Sequence, residues 1–520
     1  MNSTEYKPYV IDTGYLFPPS LADFLGPDDE VHIFREVTEH LDISCLDCDF
    51  NGMGQHPYHP LMLLRLLMWG MANWVVSTRK VEVLARRDVS FIYLAGGQKP
   101  DFRTLARFRR RNTKEIKRLF KDTVLLCARL GMVNLGHIAL DGTKLKASAS
   151  KHKAMSYGRM KQEEERLGRE IEDLMKQAEA ADTEEDKAFG KDNNGYNLPE
   201  ELQRRENRLK KICQLRQDLE AEKRREQGLK EEQMPVIENK EQRSFAERDA
   251  RMMLMKRGEF DYGYNAQAGM EEHGVIVAAD LTNVASDTGH LPNMVQEVRQ
   301  LRDELGLDET KKETVVTIDS GYFSAENIQQ EGKGIELLIA SGREKKEPVE
   351  SVEGDGNDAE AAKKIYSVKR FEYVKESDSW RCLNGRLLVR EENLESKDGD
   401  DPSSRYLCQS CEGCSLSSRC LKPGETRRIL LVKRNQIIRA EMRARLKKPE
   451  KQAIYRKRKW VAEQVIGQIK DGMGFREVTM RGKDNARGQW LFACATHNVM
   501  KAVRFIAGQR KRDMSLAMAC

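Results

Sequence analysis

The stretch "VVTIDSGYFS" occupies residues 315–324, and its reading decides the fold. Two valines, a threonine and an isoleucine form a β-branched run that leads into Asp319. Ser320 and Gly321 then turn the chain toward a helix. A strand end followed by a glycine turn is a rigid place to present a charged group. An Asp there also makes a local turn bond with its own backbone. One Asp does not separate the two roles, so its neighbours matter.

Upstream, "GHIALDGTKLKA" (136–147) reads as a strand ending at Asp141. "DYGYNAQAGM" and "HGVIVAADLT" alternate as two adjacent strands. "TGHLPNMVQEVRQLRDELG" reads as a helix, "SAENIQQE" as another, and "GIELLIAS" as a further strand. Strands and helices intermixed in this way, with two acidic strand ends, indicate an α/β core interrupted by insertions. One insertion follows the first strand. Met160, Leu167 and Leu174 are seven apart, as are Ile171 and Ala178, and Leu202, Leu209, Ile212 and Leu219 repeat the seam. With turn signals in "DKAFGKDNNGYNLPEE", the segment reads as a helical hairpin over roughly 155–230. Such an arm pairs with a second copy, clamps a ligand or packs on itself.

The chain opens differently. "HPLMLLRLLMWGMANW" reads as a buried helix starting just after its His-Pro pair. "STRKVEVLARR" follows with Ser77 as N-cap, and "PDFRTLARFRRRN" offers Asp101 as a cap. Arg103, Arg107, Arg109, Arg110 and Arg111 give the last helix a basic face. Short, capped, closely linked helices with arginines on the last suit a helix-turn-helix-like DNA module, and equally a helical bundle with a charged exterior.

Composition narrows the class. At 520 residues the chain has room for two to four domains. It is 39% hydrophobic and 33% charged, with no run of eighteen apolar residues, so no membrane span is expected. The N-terminus "MNSTEYKPYVIDTGYLF" lacks a secretory pattern, and eleven unevenly spread cysteines speak for a reducing compartment. The net charge is only +6, but between Arg427 and Arg487 stand 19 Lys or Arg against 6 Asp or Glu. Such a block suits a polyanion, or forms a solvated helix face.

Within that block, Glu463 lies one helical turn from Lys459 and two from Lys470, on one stripe. Trp460 and Ile466, with Val465 and Ile469, are expected to face inward. The stripe reads as a surface ion-pair ladder or, joined to Asp141 and Asp319, as a third carboxylate. Three converging carboxylates repel unless a cation sits among them, and hard oxygen ligands select Mg²⁺ or Mn²⁺. A pair of such ions can activate an attacking oxygen and stabilise a leaving one on a phosphodiester. No phosphate-binding glycine loop competes.

"ALDGTKLKA", "IDSGYFSAEN" and "YRKRKWVAEQVIGQIK…GF…RG" together resemble the DDE transposases of bacterial insertion sequences, most closely the group numbered eleven-eighty-two. The resemblance covers nearly the whole chain and implies a ribonuclease H-like mixed-sheet core. It implies that Asp141, Asp319 and Glu463 are the catalytic, metal-holding carboxylates. Tyr455, Arg458, Glu463 and Lys470 match the family's Tyr-Arg-Glu-Lys signature, with Tyr and Arg one residue further from the Glu than in the broader superfamily. Lys470, Arg458, Tyr455 and Arg481 are then DNA-binding residues, with Lys144 a further candidate for holding phosphate. Asp287 also falls in a family-like segment, where capping a helix near His290 explains it as well. The implied activity is metal-dependent cleavage at the element's ends and strand transfer into target DNA. The alternatives are a nuclease that cuts without joining and a DNA-binding regulator. The implied partners are double-stranded DNA, at the terminal inverted repeats and the target, and a second copy of the chain. The implied place is the bacterial cytoplasm, at the nucleoid.

The expected organisation has an N-terminal helical, helix-turn-helix-like DNA-binding domain (1–135) and a first part of the catalytic core (136–343) with its hairpin insertion (152–235). A Cys-rich insertion (344–428) and a basic helical tail completing the core (429–520) follow. In the insertion, Cys411 and Cys414 form a C-x2-C, Cys420 follows, and Cys382 makes a fourth thiolate for Zn²⁺, with Cys408 able to substitute. Reduced, partly buried thiols are the other reading. Cys45 and Cys48 form a second, isolated C-x2-C.

Overall fold

A computed structural model of the chain describes residues 20–46, 56–149, 154–189, 200–255, 258–307, 313–340, 366–394, 402–422 and 424–519. The expected acidic stretch 344–363, the tip of the helical hairpin and Cys48 lie outside the described residues.

Six helices come first: α1 (Glu30–Glu39), α2 (Pro60–Ala72), α3 (Thr78–Arg87), α4 (Val89–Leu94), α5 (Phe102–Arg111) and α6 (Ile116–Arg129). Their starts follow the capping chemistry of the sequence. Pro60 opens α2, and the His59 ring accepts the Leu61 N–H at 3.2 Å. Asp101 caps α5 by accepting the Thr104 N–H at 2.6 Å. Ser77 holds the N-cap position of α3, but its side chain makes no cap bond.

The central sheet is built from β1 (His137–Lys146), β4 (Arg251–Leu254), β5 (Phe260–Glu271), β6 (Ile276–Thr282), β7 (Thr314–Ile318) and β8 (Ile335–Ile339). The short β2 (Ala154–Ser156) and β3 (Gln242–Ser244) pair as a ribbon at the base of the hairpin. Across the sheet, β6, β5 and β1 run antiparallel to their neighbours, and β1, β7 and β8 run parallel. β4 adds to the other end of β5. β7 and β8 are buried along their whole length, as parallel strands covered on both faces should be. α9 (Leu291–Glu304) makes the crossover from β6 to β7, and the short α10 (Ala325–Ile328) leads to β8.

Between β2 and β3 stand α7 (Tyr157–Phe189) and α8 (Glu200–Glu226), packed on each other. Met160, Leu167, Ile212 and Leu215 form their own small core, and Arg216 pairs with Glu164 across the seam at 2.8 Å. The sevenfold spacing thus marks an arm packed on itself.

A second sheet is wholly antiparallel, in the order β13 (Ile429–Lys433), β12 (Ser403–Cys408), β11 (Leu387–Leu394), β10 (Ser379–Arg381), β9 (Glu372–Val374). It has a separate core around Phe371, Trp380, Leu388, Tyr406 and Val432. The single-turn α11 (Ser417–Cys420) lies beside it, and α12 (Arg434–Lys447), α13 (Pro449–Gly467), a π-helical turn (Gln468–Gly472) and α14 (Lys483–Ala519) complete the chain. Among the described residues, no helix is long and apolar enough to cross a membrane.

α14 joins the parts. It packs on α1, α2 and α6 on one side and on β6 on the other, so the first helices and the central sheet share one hydrophobic core. Asn498 stitches this junction: its side chain exchanges 2.9 Å bonds with both the N–H and the carbonyl of Ile276. Trp490 is fully buried, donates to the Gln267 carbonyl at 3.0 Å and stacks on Phe475. Trp490→Ala is expected to cost about 3–5 kcal/mol by emptying this core. A urea titration followed by circular dichroism reads it, and a loss below about 1 kcal/mol would contradict a single shared core.

Candidate active site

The parallel register of β1 and β7 sets Leu140 opposite Ile318. The next residue on each strand is an aspartate, so Asp141 and Asp319 stand side by side. β7 ends there, whereas β1 continues to Lys146 against β5. Asp141 therefore sits in mid-strand, not at the strand end the sequence suggested, because the antiparallel ladder with β5 runs on. It becomes an edge residue because its β7 neighbour stops. Asp319 is exposed and accepts the Ser320 N–H at 2.7 Å; Asp141 accepts the Gly142 N–H at 2.9 Å. Asp319 is thus both a turn former and a presented charge.

α13 lies against these strands. The Tyr455 hydroxyl donates to the Ile318 carbonyl at 3.1 Å, at the last residue of β7. Arg458 Nη2 stands 3.2 Å from Asp141 Oδ1, its side chain 12% exposed. Its buried Nε has no hydrogen-bond partner among the described residues. Lys470, on the π-helical turn, donates to the Lys144 carbonyl at 2.8 Å. Burial raises the Asp141 pKa above the usual carboxylate range. Arg458 and the Gly142 N–H oppose that shift, and the charges of Asp319 and Asp287 add to it.

Glu463 is not part of this group. Val461, Ala462 and Val465 are the residues of α13 that turn into the core, and Glu463, one step of about 100° beyond Ala462, points to solvent. Among the described residues Glu463 makes no ion pair, so the expected Lys459–Glu463–Lys470 ladder does not form. Nor, among the described residues, do any three His, Cys, Asp or Glu side chains group closely enough to hold a metal ion. Trp460 corrects the inward reading of this helix. It is 62% exposed, because the buried stripe runs through Val461, Ala462, Val465 and Ile469 instead. Trp460 shares the solvent side with Arg456, Lys459 and Glu463.

Asp287 corrects a second reading. Its side chain caps no helix. Its Oδ1 accepts from Asn265 at 2.6 Å and from Gln267 at 3.1 Å, and it pairs with Lys144 at 3.2 Å. Lys144 also donates to the Ala285 carbonyl at 2.7 Å, so its ammonium is engaged beside the aspartates. The sequence signal was in "NAQ": Asn265 and Gln267 are on one face of β5 and fully buried, and buried amides need a partner. Arg481 is exposed on the loop before α14, where its charge acts on Glu247.

The donor set suits a hard divalent cation. Mg²⁺ is commonly bound by one or two carboxylates, with water and phosphate oxygens filling its shell. Asp141 and Asp319 are such a pair, and a cation there would relieve the burial and repulsion that disfavour charge on Asp141. The cysteine corner is different. Cys408 is tucked into the small core with its thiol directed at the Ser410 carbonyl, and burial with Cys411 beside it pushes its pKa up to about 12. Cys411 Sγ accepts the Arg428 N–H at 3.4 Å, and Cys414 Sγ accepts from Asn384 at 3.5 Å. Cys382, Cys411, Cys414 and Cys420 share this corner as free thiols and are not grouped as a tetrahedral set.

Residues 381–503 match the model of a family described as Transposase DDE domain, and residues 21–111 match one described as Transposase domain (DUF772). The first stretch holds Tyr455, Arg458, Glu463 and Lys470, and the second spans α1 to α5. Asp141, Asp287 and Asp319 lie outside both. No curated protein and no solved structure matches the chain significantly.

The raised pKa of Asp141 has a consequence for stability. Its native carboxyl binds a proton more tightly than the unfolded one, so the group favours folding at low pH, and that contribution is lost as pH rises through the native pKa. Asp141→Asn removes the loss. The variant is expected to melt above wild type at pH 8 in a chelating buffer, with the gap closing toward pH 4. A gap that widens as pH falls would contradict the assigned shift.

Proposed function

We propose that this chain, a DDE-type insertion-sequence transposase by its two matched domains, cuts the ends of its own DNA element and joins them to target DNA. The observation that carries the reading is the register that sets Asp141 beside Asp319. The strand pattern supports it: three antiparallel strands followed by two parallel ones, with a helical crossover between, is the arrangement of a ribonuclease H-like core.

In this reading Asp141 and Asp319 would hold a divalent cation. When bound, such a cation supplies Lewis-acid activation of the attacking oxygen and charge relief at the leaving one. Water attacks the phosphodiester at the element's end, the P–O3′ bond breaks, and a free 3′-OH results. That hydroxyl then attacks a target phosphodiester in line, forming a new P–O bond as the target's own P–O3′ bond breaks and its 3′-OH leaves with the proton. Arg458 neutralises the Asp141 carboxylate beside the scissile phosphate. Tyr455 and Lys470 fix α13 to the ends of the catalytic strands, which keeps that guanidinium in place. The exposed stripe of Arg456, Lys459 and Trp460 meets the DNA beside the scissile bond, the tryptophan as a stacking surface. Farther along, Arg103, Arg107 and Arg110 share an exposed face of α5 and contact backbone phosphates.

The decisive experiment is cleavage of a labelled duplex carrying the element's own end, with Mg²⁺ or Mn²⁺. Asp319→Ala is expected to lose at least about a hundredfold in cutting while still binding the end. Equal cutting by both proteins would overturn the reading. Cutting without joined products would leave a nuclease. Separately, replacing Arg103, Arg107 and Arg110 together by Ala should lower the salt slope of end binding by roughly 2–3. An unchanged slope would remove α5 from the DNA interface.

A further inference from the structure

The glycines beside the two aspartates are the starting point. A Cβ on Gly142, next to Asp141, would meet Gln267 Nε2 at 2.7 Å and Asp287 Oδ1 at 3.0 Å. A Cβ on Gly321, two residues past Asp319, would meet Asp287 Oδ2 at 3.4 Å. One carboxylate therefore reaches both aspartate turns, with one oxygen toward each. Gly142 leaves no room for a side chain because that carboxylate and its amide partner fill the space.

The segment carrying Asp287 is tied to both strands. On the β1 side, Lys144 donates to the Ala285 carbonyl and pairs with Asp287. On the β7 side, the Thr288 hydroxyl donates to the Gly321 carbonyl at 3.1 Å, and Asn327 donates to the Thr288 carbonyl at 2.7 Å. From below, buried Asn265 bonds both the Val284 carbonyl and Asp287. This is more polar stitching than a connection from a strand to a helix needs, and it converges on a charge.

We propose that Asp287 is a further acidic group of the centre, a positioning residue that fixes both aspartate turns and adds its charge where a divalent cation binds. It acts through Asp141 and Asp319 and does not itself take the cation. Its Oδ1 is occupied by three donors, and the three carboxylates are not grouped as direct ligands. The inference rests on the reading of the aspartate pair given above.

The test uses the full chain and Mn²⁺ alone as the probe, with binding read by calorimetry and by the metal-induced shift in melting temperature. Asp287→Asn keeps the shape and an acceptor oxygen but removes the charge. It is expected to weaken Mn²⁺ binding by about 10–100-fold, the usual cost of losing a group behind a ligand. Asp287→Glu, which keeps the charge, should recover part of that loss, whereas a merely structural carboxylate would be served better by Asn. Mn²⁺ affinity in Asp287→Asn within about threefold of wild type would overturn the proposal. If Asp287→Asn fails to fold, Asn265→Ala replaces it: it removes the shortest donor to Asp287 and no charge. Unchanged Mn²⁺ affinity in that variant overturns the proposal equally. Asp319→Ala separates the two readings. If it binds Mn²⁺ as wild type does, the aspartate pair is not the cation site and the functional reading fails. If it loses Mn²⁺ while Asp287→Asn does not, only the present inference fails.

Discussion

Two carboxylates on neighbouring parallel strands, at the same level, are the constraint around which this molecule is organised. Paired strands lie about 4.8 Å apart, so the register of β1 and β7 forces like charges together. The chain answers that repulsion locally. Arg458 pairs with one aspartate, and Ser320 and Gly142 donate backbone N–H groups. α13 is tied to both strands by Tyr455 and Lys470. A helix from the far end of the sequence is thus fixed to strands more than a hundred residues earlier in the chain. A fold that brings distant segments together for the sake of a repulsive pair holds that pair for a purpose other than stability.

Much of this core was legible because local chemistry and global structure agree. The β-branched run before Asp319 is a strand buried on both faces, and Asp101 and the His59–Pro60 pair cap their helices as their residue types dictate. The exceptions share a cause. Trp460 looks like a core residue by type, yet smaller neighbours, Val461 and Ala462, take the buried stripe. Helical periodicity places residues on a stripe but does not say which stripe faces the sheet. Asp287 looks like a cap because it precedes a helix, and its partners come from a strand some twenty residues earlier. Non-local polar contacts leave no periodic trace, so only the burial of Asn265 and Gln267 reports them. Asp141 was misplaced by the same blindness, since where a strand ends depends on which neighbour is counted.

The two insertions are built on separate principles. The helical arm is held by a heptad seam and by ion pairs such as Arg216–Glu164, with a short ribbon at its base. The five-stranded sheet has its own aromatic core, and its cysteines collect at one corner. The arm rejoins the central sheet at β4, and the five-stranded sheet leads into α12. Neither interrupts the register of β1 and β7.

α14 binds the first helices and the central sheet into one hydrophobic body, with Trp490 and Asn498 at the seam. In such a body the arginine face of α5 and the aspartate pair cannot drift apart as beads on a tether do. They stand as the two jaws of a caliper. Under the proposed function, a duplex held by one jaw would meet the other at a set number of base pairs, so the offset between the phosphates held and the bond cut would be a dimension of the protein's interior.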